Sequence, residues 1–116
     1  MNHLNSLIIE GNAKNPKLSE PKAGFKVLRF DLEVSRYYKN GNGEGIEEIS
    51  IFPVEAYGLL AENADKYLSQ GKTSLRVVGR MKQDRWTDPT GKTLSKVFVV
   101  CEHIEFKSSL KNEKTA

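Results

Sequence analysis

The sequence predicts an all-β fold, a five-stranded Greek-key barrel with one helix between strands 3 and 4. Five segments show the alternation and β-branched content of strands, whereas only one has apolar residues at helical spacing. The 116 residues, of which 38% are hydrophobic and 28% charged, match one globular domain. An order of three strands, one helix and two strands suits a small barrel that the helix plugs.

The first two strands are predicted at Leu4–Gly11 and Phe25–Tyr38. Between them, Asn12–Gly24 is polar and carries two prolines, so it is expected to form a loop or irregular edge. Apolar residues change parity at Val27 and Leu28, which predicts a β-bulge there.

The third strand is predicted at Ile46–Tyr57 and follows the glycine-rich segment Lys39–Gly45, which is interpreted as a flexible hairpin tip. Pro53 removes one ladder donor, so it is expected at a bulge or an edge. The helix is predicted at Gly58–Gln70, with Gly71 ending it. Its apolar stripe consists of Leu60, Ala64, Tyr67 and Leu68.

The last two strands are predicted at Lys72–Arg85 and Leu94–Phe106, joined through Asp88–Gly91, which matches a type I turn. In the fourth strand Leu75, Val77 and Met81 are expected to face inward. The fifth strand is apolar on both faces: Val97, Val99 and Cys101 lie on one, and Phe98, Val100 and Ile104 on the other. A barrel buries one face, so the other is expected to meet a second subunit or the chain's own loops. The barrel domain is placed at residues 1–107, and residues 108–116 are expected to be a polar, disordered tail.

Composition narrows the function classes. The formal charge of +3 and the pI near 9.0 permit a nucleic-acid partner. A lone cysteine excludes an internal disulfide, and no segment resembles a signal peptide or a membrane span, so a cytoplasmic protein without a membrane partner is expected. We predict no metal or other cofactor, since Cys101 and His103 provide only two ligands. We also predict no enzyme activity, because Asp31 and Glu33 are explained by an exposed alternating strand.

Cations and aromatic rings are interleaved at the two hairpins. Single-strand binders combine cations for phosphates with rings on which bases stack. The candidate residues at the first hairpin and the third strand are Arg36, Tyr38, Lys39 and Tyr57, and those at the second hairpin are Arg80, Lys82, Arg85, Trp86, Lys92 and Lys96. Alternation allows at most one of Tyr37 and Tyr38 to stack. Trp86 either contacts a ligand or lies on its own hairpin, and Tyr57 alone is more often a core residue.

Several segments closely resemble the bacterial single-stranded DNA-binding protein (SSB) family. They are Leu4–Asn12, Leu59–Glu62, Tyr67–Lys72, Val77–Arg80 and Arg85–Asp88, within a match over roughly residues 4 to 106. The resemblance implies an OB fold, a homotetramer, and sequence-tolerant binding of single-stranded DNA in replication, recombination and repair. It implies base stacking by Trp86 and Tyr57 and an aromatic role for Tyr38.

The sequence differs from the usual pattern of that family at two places. Where the family often has a tryptophan in the third strand, this chain has Ile51, which can cover a base but has no π face, so weaker binding per subunit is expected there. The family's flexible linker and acidic tip, which recruit replication and repair proteins, have no counterpart in the final residues Lys111–Ala116. The sequence therefore shows no segment that we would expect to recruit those proteins.

Two other functions remain open on the same barrel. A dimeric assembly module of primosome type would hold replication proteins and would be a stable dimer in solution. An oligosaccharide or RNA binder would be revealed by RNA that competes as well as DNA does.

Overall fold

The computed structural model describes residues 1–107 and closes five strands into a barrel in the order β1-β2-β3-β5-β4. The elements are β1 (Leu7–Lys22), β2 (Phe25–Lys39), β3 (Gly45–Tyr57), α1 (Gly58–Ser69), β4 (Ser74–Thr87) and β5 (Thr93–Phe106). Neighbouring strands are antiparallel except β3 and β5, which pair in parallel only at Val54–Val99 and Glu55–Val100. The predicted fold class is confirmed. The tail predicted at residues 108–116 lies outside the described residues.

The barrel interior is filled by the inward-facing side of each strand. The largest fully buried core side chains from the strands are Leu28, Leu32, Val54, Leu75 and Val77. Helix α1 adds Ala61, Ala64 and Leu68 to the same cluster, so its apolar side closes the barrel. The predicted stripe missed Ala61 and included Tyr67, which is 45% exposed and packs on the Phe106 ring at 4.8 Å.

Glycine ends the helix as predicted. Gly71 has a φ of +85°, and its N–H donates to the Leu68 carbonyl at 3.0 Å while the Lys72 N–H donates to the Tyr67 carbonyl at 3.1 Å. This pair of bonds is a Schellman motif, which needs a residue that tolerates the left-handed region.

The segment predicted as a loop or an irregular edge is an irregular edge: beyond Asn12 it is paired with β2 and no longer with β4. Strand β1 continues through it to Lys22, with Ala13 buried in the core. Its pairing with β2 has register shifts between Lys14 and Lys17 and between Ser19 and Lys22, which places the two prolines within bulges. The second shift lies opposite Val27 and Phe25, so a bulge is present near Val27 and Leu28 as predicted, but its extra residue belongs to β1 and not to β2; the β2–β3 register is continuous there.

A bulge in β5 changes the predicted faces of that strand beyond Cys101. The register of β4 and β5 shifts between Val78 and Gly79, which leaves Glu102 as the extra residue. Ile104 therefore turns inward, opposite Val77, and packs against the core rather than beside Phe98. Met81, expected inside, is 40% exposed because it lies beyond the closed part of the barrel.

Two hairpin arms project from one end of the barrel. Because β3 and β5 run parallel, the ends at which they begin lie on the same side, and each is joined to its hairpin partner there. The β2–β3 arm ends at Asn40–Glu44 and the β4–β5 arm at Asp88–Lys92. Pro53 lies where β5 leaves β3, so its missing donor faces an unpaired edge as predicted.

Both arms close with the same turn. Asn40 Oδ1 accepts from the N–H of Asn42 and of Glu44 at 2.9 and 3.0 Å, and Asp88 Oδ1 accepts from the N–H of Thr90 and of Lys92, both at 2.9 Å. The glycine-rich segment is therefore a hairpin tip as predicted, closed by a hydrogen-bonded turn, and the Asp88–Gly91 turn is confirmed. Within residues 1–107, no helix has the length and hydropathy needed to cross a membrane.

Candidate nucleic-acid interface

The candidate interface is the outer face, the side of β2, β3, β5 and β4 that points away from the barrel core. Cross-strand partners define its rows: Arg29, Glu55, Val100 and Arg80 form one row, and Phe98 with Lys82, Lys96 with Asp84, and Leu94 with Trp86 form the next three. Direct partners across a sheet point to the same side. Cations and rings from three strands therefore share one continuous surface that runs onto the β4–β5 arm.

Trp86 lies on the outer face near the end of the β4–β5 arm. Its side chain is 45% exposed and stands opposite Leu94. Part of this residue is therefore covered and part faces solvent, which is compatible with both interpretations of the sequence. The accessible surface is available to a base, and that contact remains a prediction.

Phe98 lies on the outer face, but its aromatic ring is buried. It is 1% exposed although it belongs to the outer side of β5 and not to the core cluster. The ammonium groups of Lys82 and Lys96 lie 5.6 and 5.1 Å from its ring centroid. Phe98 and Val100 are thus covered within one chain, which favours the chain's own residues over a second subunit as their cover.

Tyr57 sits at the other end of the outer face, where β3 meets the helix. Its hydroxyl donates to Glu55 Oε1 at 2.8 Å, and the Phe25 ring is stacked against it with centroids 5.9 Å apart. Burial, together with the Glu55 hydrogen bond and charge, raises the pKa of Tyr57 to about 12. The phenol is therefore neutral at physiological pH and does not repel a phosphate.

A small cleft opens beside Glu55 on the outer face. It has a volume of about 240 Å³ and is lined in part by Lys17, Arg29, Lys96 and Glu55. Arg29 Nε donates to Glu55 Oε2 at 2.9 Å, and Lys96 Nζ lies 3.7 Å from the same oxygen. The sequence reasoning missed Lys17 and Arg29; the alternation of β2 carried the signal for Arg29, which shares parity with Asp31 and Glu33.

The structure divides the predicted residues of the first arm between two faces. Ile51 and Lys39 share the outer parity of β2 and β3, and Ile51 is 57% exposed. Arg36 and Tyr38 lie on the opposite face, where the guanidinium carbon is 4.7 Å from the Tyr38 ring centroid. The tyrosine on the outer side is Tyr37, which is 73% exposed and donates its hydroxyl proton to Glu47 at 2.9 Å.

The second arm divides its predicted residues in the same way. Arg80, Lys82, Lys96 and Trp86 share the outer face, whereas Arg85 alternates to the opposite side. Lys92 lies in the turn, where its N–H donates to Asp88. The outer face therefore gathers seven of the predicted residues: Lys39, Ile51, Tyr57, Arg80, Lys82, Trp86 and Lys96.

Acidic neighbours hold most cations of this surface. Arg80 pairs with Glu102 at 3.0 Å and Lys82 with Asp84, and on the opposite face Arg36 pairs with Glu48 at 3.0 Å. Exposed pairs of this kind contribute only about 0–1 kcal/mol, so a phosphate can compete for the cation. Among the described residues, Lys39, Arg85 and Lys92 form no ion pair, and no cluster of three or more His, Cys, Asp or Glu side chains is arranged to hold a metal ion.

The sequence is similar to that of known proteins along almost all of the described residues. The model of the single-strand binding protein family matches residues 4–107. The single-stranded DNA-binding protein of Aquifex aeolicus is 38% identical over 102 residues, covering 87% of this chain and 68% of the relative. That of Helicobacter pylori is 30% identical over 103 residues, covering 88% of this chain and 57% of the relative.

Solved structures share the fold at low identity. The Plasmodium falciparum SSB in complex with ssDNA superposes with a TM-score of 0.73 at 14% identity, covering 93% of this chain and 98% of that one. A deletion mutant of the single-stranded DNA binding protein from Thermus aquaticus has a TM-score of 0.73 at 21% identity, covering 91% of this chain and 51% of that one. These similarities identify the barrel as an OB fold.

Proposed function

The chain belongs to the single-strand binding protein family, and on that premise we propose that it binds single-stranded DNA without sequence preference and protects it during replication, recombination and repair. The observation that carries the proposal is the outer face, on which Tyr57, Lys82, Lys96 and Trp86 lie along one path. Rings stack on any base and cations bind any phosphate, so this combination gives no preference for a particular base sequence. Proteins of this family are not enzymes.

The path runs from Tyr57 through the row of Glu55 and Val100 to the arm that carries Trp86. At about 3.3 Å per residue along a strand and 4.8 Å between strands, it measures roughly 28 Å. This length accommodates several nucleotides, in line with the roughly 4–16 that one OB fold occupies. Arg80, Lys82 and Lys96 line the path for phosphates.

The roles of the individual residues belong to this proposal. We assign base contacts to Trp86, Tyr57 and Ile51, and phosphate contacts to Arg80, Lys82, Lys96 and Lys39. Tyr38, Arg36 and Arg85 face the other sides of the arms, so they contact DNA only where the strand wraps around an arm. Residues 1–107 are assigned as the binding domain, and we place the protein in the cytoplasm with the nucleoid.

We propose a homotetramer as the assembled form. The outer side of β1 carries Ile8, which is 69% exposed opposite Val78 and lies apart from the DNA path. A subunit contact on this side of β1 would bury the exposed Ile8 side chain. Light scattering is expected to give about four times the chain mass of 13.1 kDa. A stable dimer would instead favour the assembly module of primosome type.

Titration with labelled oligo-dT tests the function. We expect tight binding to the single strand, weaker binding to a duplex of the same length, and a log K that falls by about 0.7 per phosphate neutralised as log salt rises. Since Trp86 is the lone tryptophan, its fluorescence change reports the arm directly. Equal affinity for duplex and single strand would contradict the proposal, and RNA that competes as well as DNA would redirect it to the RNA binder.

A further inference from the structure

Glu55 is a buried acid in the middle of a surface assigned to a polyanion. It is 7% exposed and is the only buried charged residue in the described part of the chain. It lies on the outer side of β3 at one of the two positions where β3 pairs with β5. A carboxylate here opposes phosphate binding by its charge, and burying it costs free energy unless it is paired.

The contacts of Glu55 join three groups of the outer face. One carboxylate oxygen accepts the Tyr57 hydroxyl proton at 2.8 Å, and the other accepts Arg29 Nε at 2.9 Å with Lys96 Nζ at 3.7 Å. Tyr57 is one end of the proposed DNA path, and Lys96 is on the same path. Two hydrogen bonds and one ion pair thus meet at a single buried side chain.

Stability alone does not account for this arrangement. A buried ion pair is often no more stable than apolar residues of similar volume, and β3 already packs Val54 and Ala56 on its inner side. We propose that Glu55 is a positioning residue for single-stranded DNA, which sets the orientation of Tyr57 and Arg29 before DNA arrives. The inference rests on the proposed function and assigns no base or phosphate contact to Glu55 itself.

The geometry indicates what Arg29 and Tyr57 would each contribute to DNA binding. Arg29 is held by Nε, which leaves its two Nη groups for a phosphate, and its side chain remains 53% exposed. The Tyr57 ring is held at its hydroxyl by Glu55 and at one face by Phe25, so the ring angle is fixed. Preordered side chains lose less entropy when the strand binds.

Glu102 provides a matched control because its carboxylate holds an outer-face arginine in the same way. Arg80 Nε donates to Glu102 at 3.0 Å, but the Glu102 side chain is 54% exposed and holds no ring. Both Glu55→Gln and Glu102→Gln remove one negative charge. If charge alone mattered, both variants would bind DNA more tightly.

The test compares the affinity of both variants for oligo-dT with that of the wild-type protein at one salt concentration. We expect Glu55→Gln to bind about tenfold more weakly, as ordered side chains are released, and Glu102→Gln to bind up to about fivefold more tightly. Tyr57→Phe keeps the ring and loses the tether, so it should weaken binding and reduce the further effect of Glu55→Gln in the double variant. Thermal melting of each protein establishes that it is folded.

The sign of the Glu55→Gln effect decides the inference. Binding as tight as or tighter than wild type would overturn it, as would strictly additive effects of Glu55→Gln and Tyr57→Phe. If Glu55→Gln does not fold, Tyr57→Phe and Arg29→Lys take its place, and unchanged affinity in both would overturn the inference. A wild-type protein that fails to bind oligo-dT would instead refute the proposed function itself.

Discussion

Replacing Trp86 with alanine removes the most accessible ring of the proposed path. A tryptophan presents up to about 250 Å², and Trp86 is 45% exposed, so about 110 Å² is available to a base. Covering half to all of that area at about 25 cal/mol per Å² gives about 1.4 to 2.8 kcal/mol. This estimate lies within the range of about 1–3 kcal/mol measured for stacking on aromatic residues. We therefore expect Trp86→Ala to weaken oligo-dT binding by about 10- to 100-fold.

Tyr57→Ala should cost less, because Phe25 already covers one face of the Tyr57 ring. Fluorescence anisotropy of labelled oligo-dT measures both variants, and Trp86→Phe should recover part of the loss. Tyr67→Ala is the matched control, since Tyr67 has the same 45% exposure but lies on α1 against Phe106. Equal affinities for Trp86→Ala and Tyr67→Ala would refute the reasoning and make Trp86 a structural residue of its hairpin.

The remaining predictions concern charge, packing and pH. Lys82→Ala should reduce the slope of log K against log salt by about 0.7, and an unchanged slope in the salt titration would exclude a phosphate contact. Gly79→Ala should lower the free energy of unfolding by about 1–3 kcal/mol in urea denaturation, because its Cβ would overlap the Val100 carbonyl oxygen; Gly41→Ala, in open space, is the control, and equal losses would contradict this. Hydrogen bonds from Thr90 and Lys92 hold the pKa of Asp88 below its usual value, so the stability it contributes is present at neutral pH and is lost as the pH falls through the folded-state pKa. The melting temperatures of wild type and Asp88→Asn should therefore converge in acid, below about pH 4; a constant difference between them would contradict this.

The sequence predicted the structure correctly where one face of a strand or helix is buried and the pattern of apolar residues is regular. The alternation of β2 and the inward set Phe52, Val54 and Ala56 of β3 gave the correct faces, since burial enforces a period of two. The turn at Asp88 and the helix end at Gly71 were predictable because each depends on the chemistry of a few adjacent residues.

The errors share a physical cause, which is the insertion of an extra residue into a strand. Proline normally marks a loop, but in β1 both prolines occupy bulges, where a missing ladder donor costs little. In β5 the bulge at Glu102 reverses the parity beyond it, so Ile104 turns inward. Neither insertion is visible in the sequence, because a bulge depends on the register of the partner strand.

The sequence indicated the residue types of the candidate site, but not the face of the sheet on which each of them lies. Sequence order brings Tyr37 and Tyr38 together, whereas the pleat of β2 separates them onto two faces, and the outer side carries Tyr37. The sequence placed Phe98 on a face of β5 that was expected to meet a second subunit or the chain's own loops. In the structure, two lysine side chains of the same arm lie over its ring. Glu55 gave no signal, because a lone glutamate in a strand is usually solvated.

Photocrosslinking of oligonucleotides that contain 5-iododeoxyuridine tests most directly whether one strand follows the outer face. Mass spectrometry of the adducts is predicted to place crosslinks at Trp86 and at Tyr57 on the same population of protein, with none at Tyr67, although Tyr67 is as exposed as Trp86. Crosslinks confined to the opposite sides of the arms or to the α1 surface, with Trp86 and Tyr57 unmodified, would contradict the account.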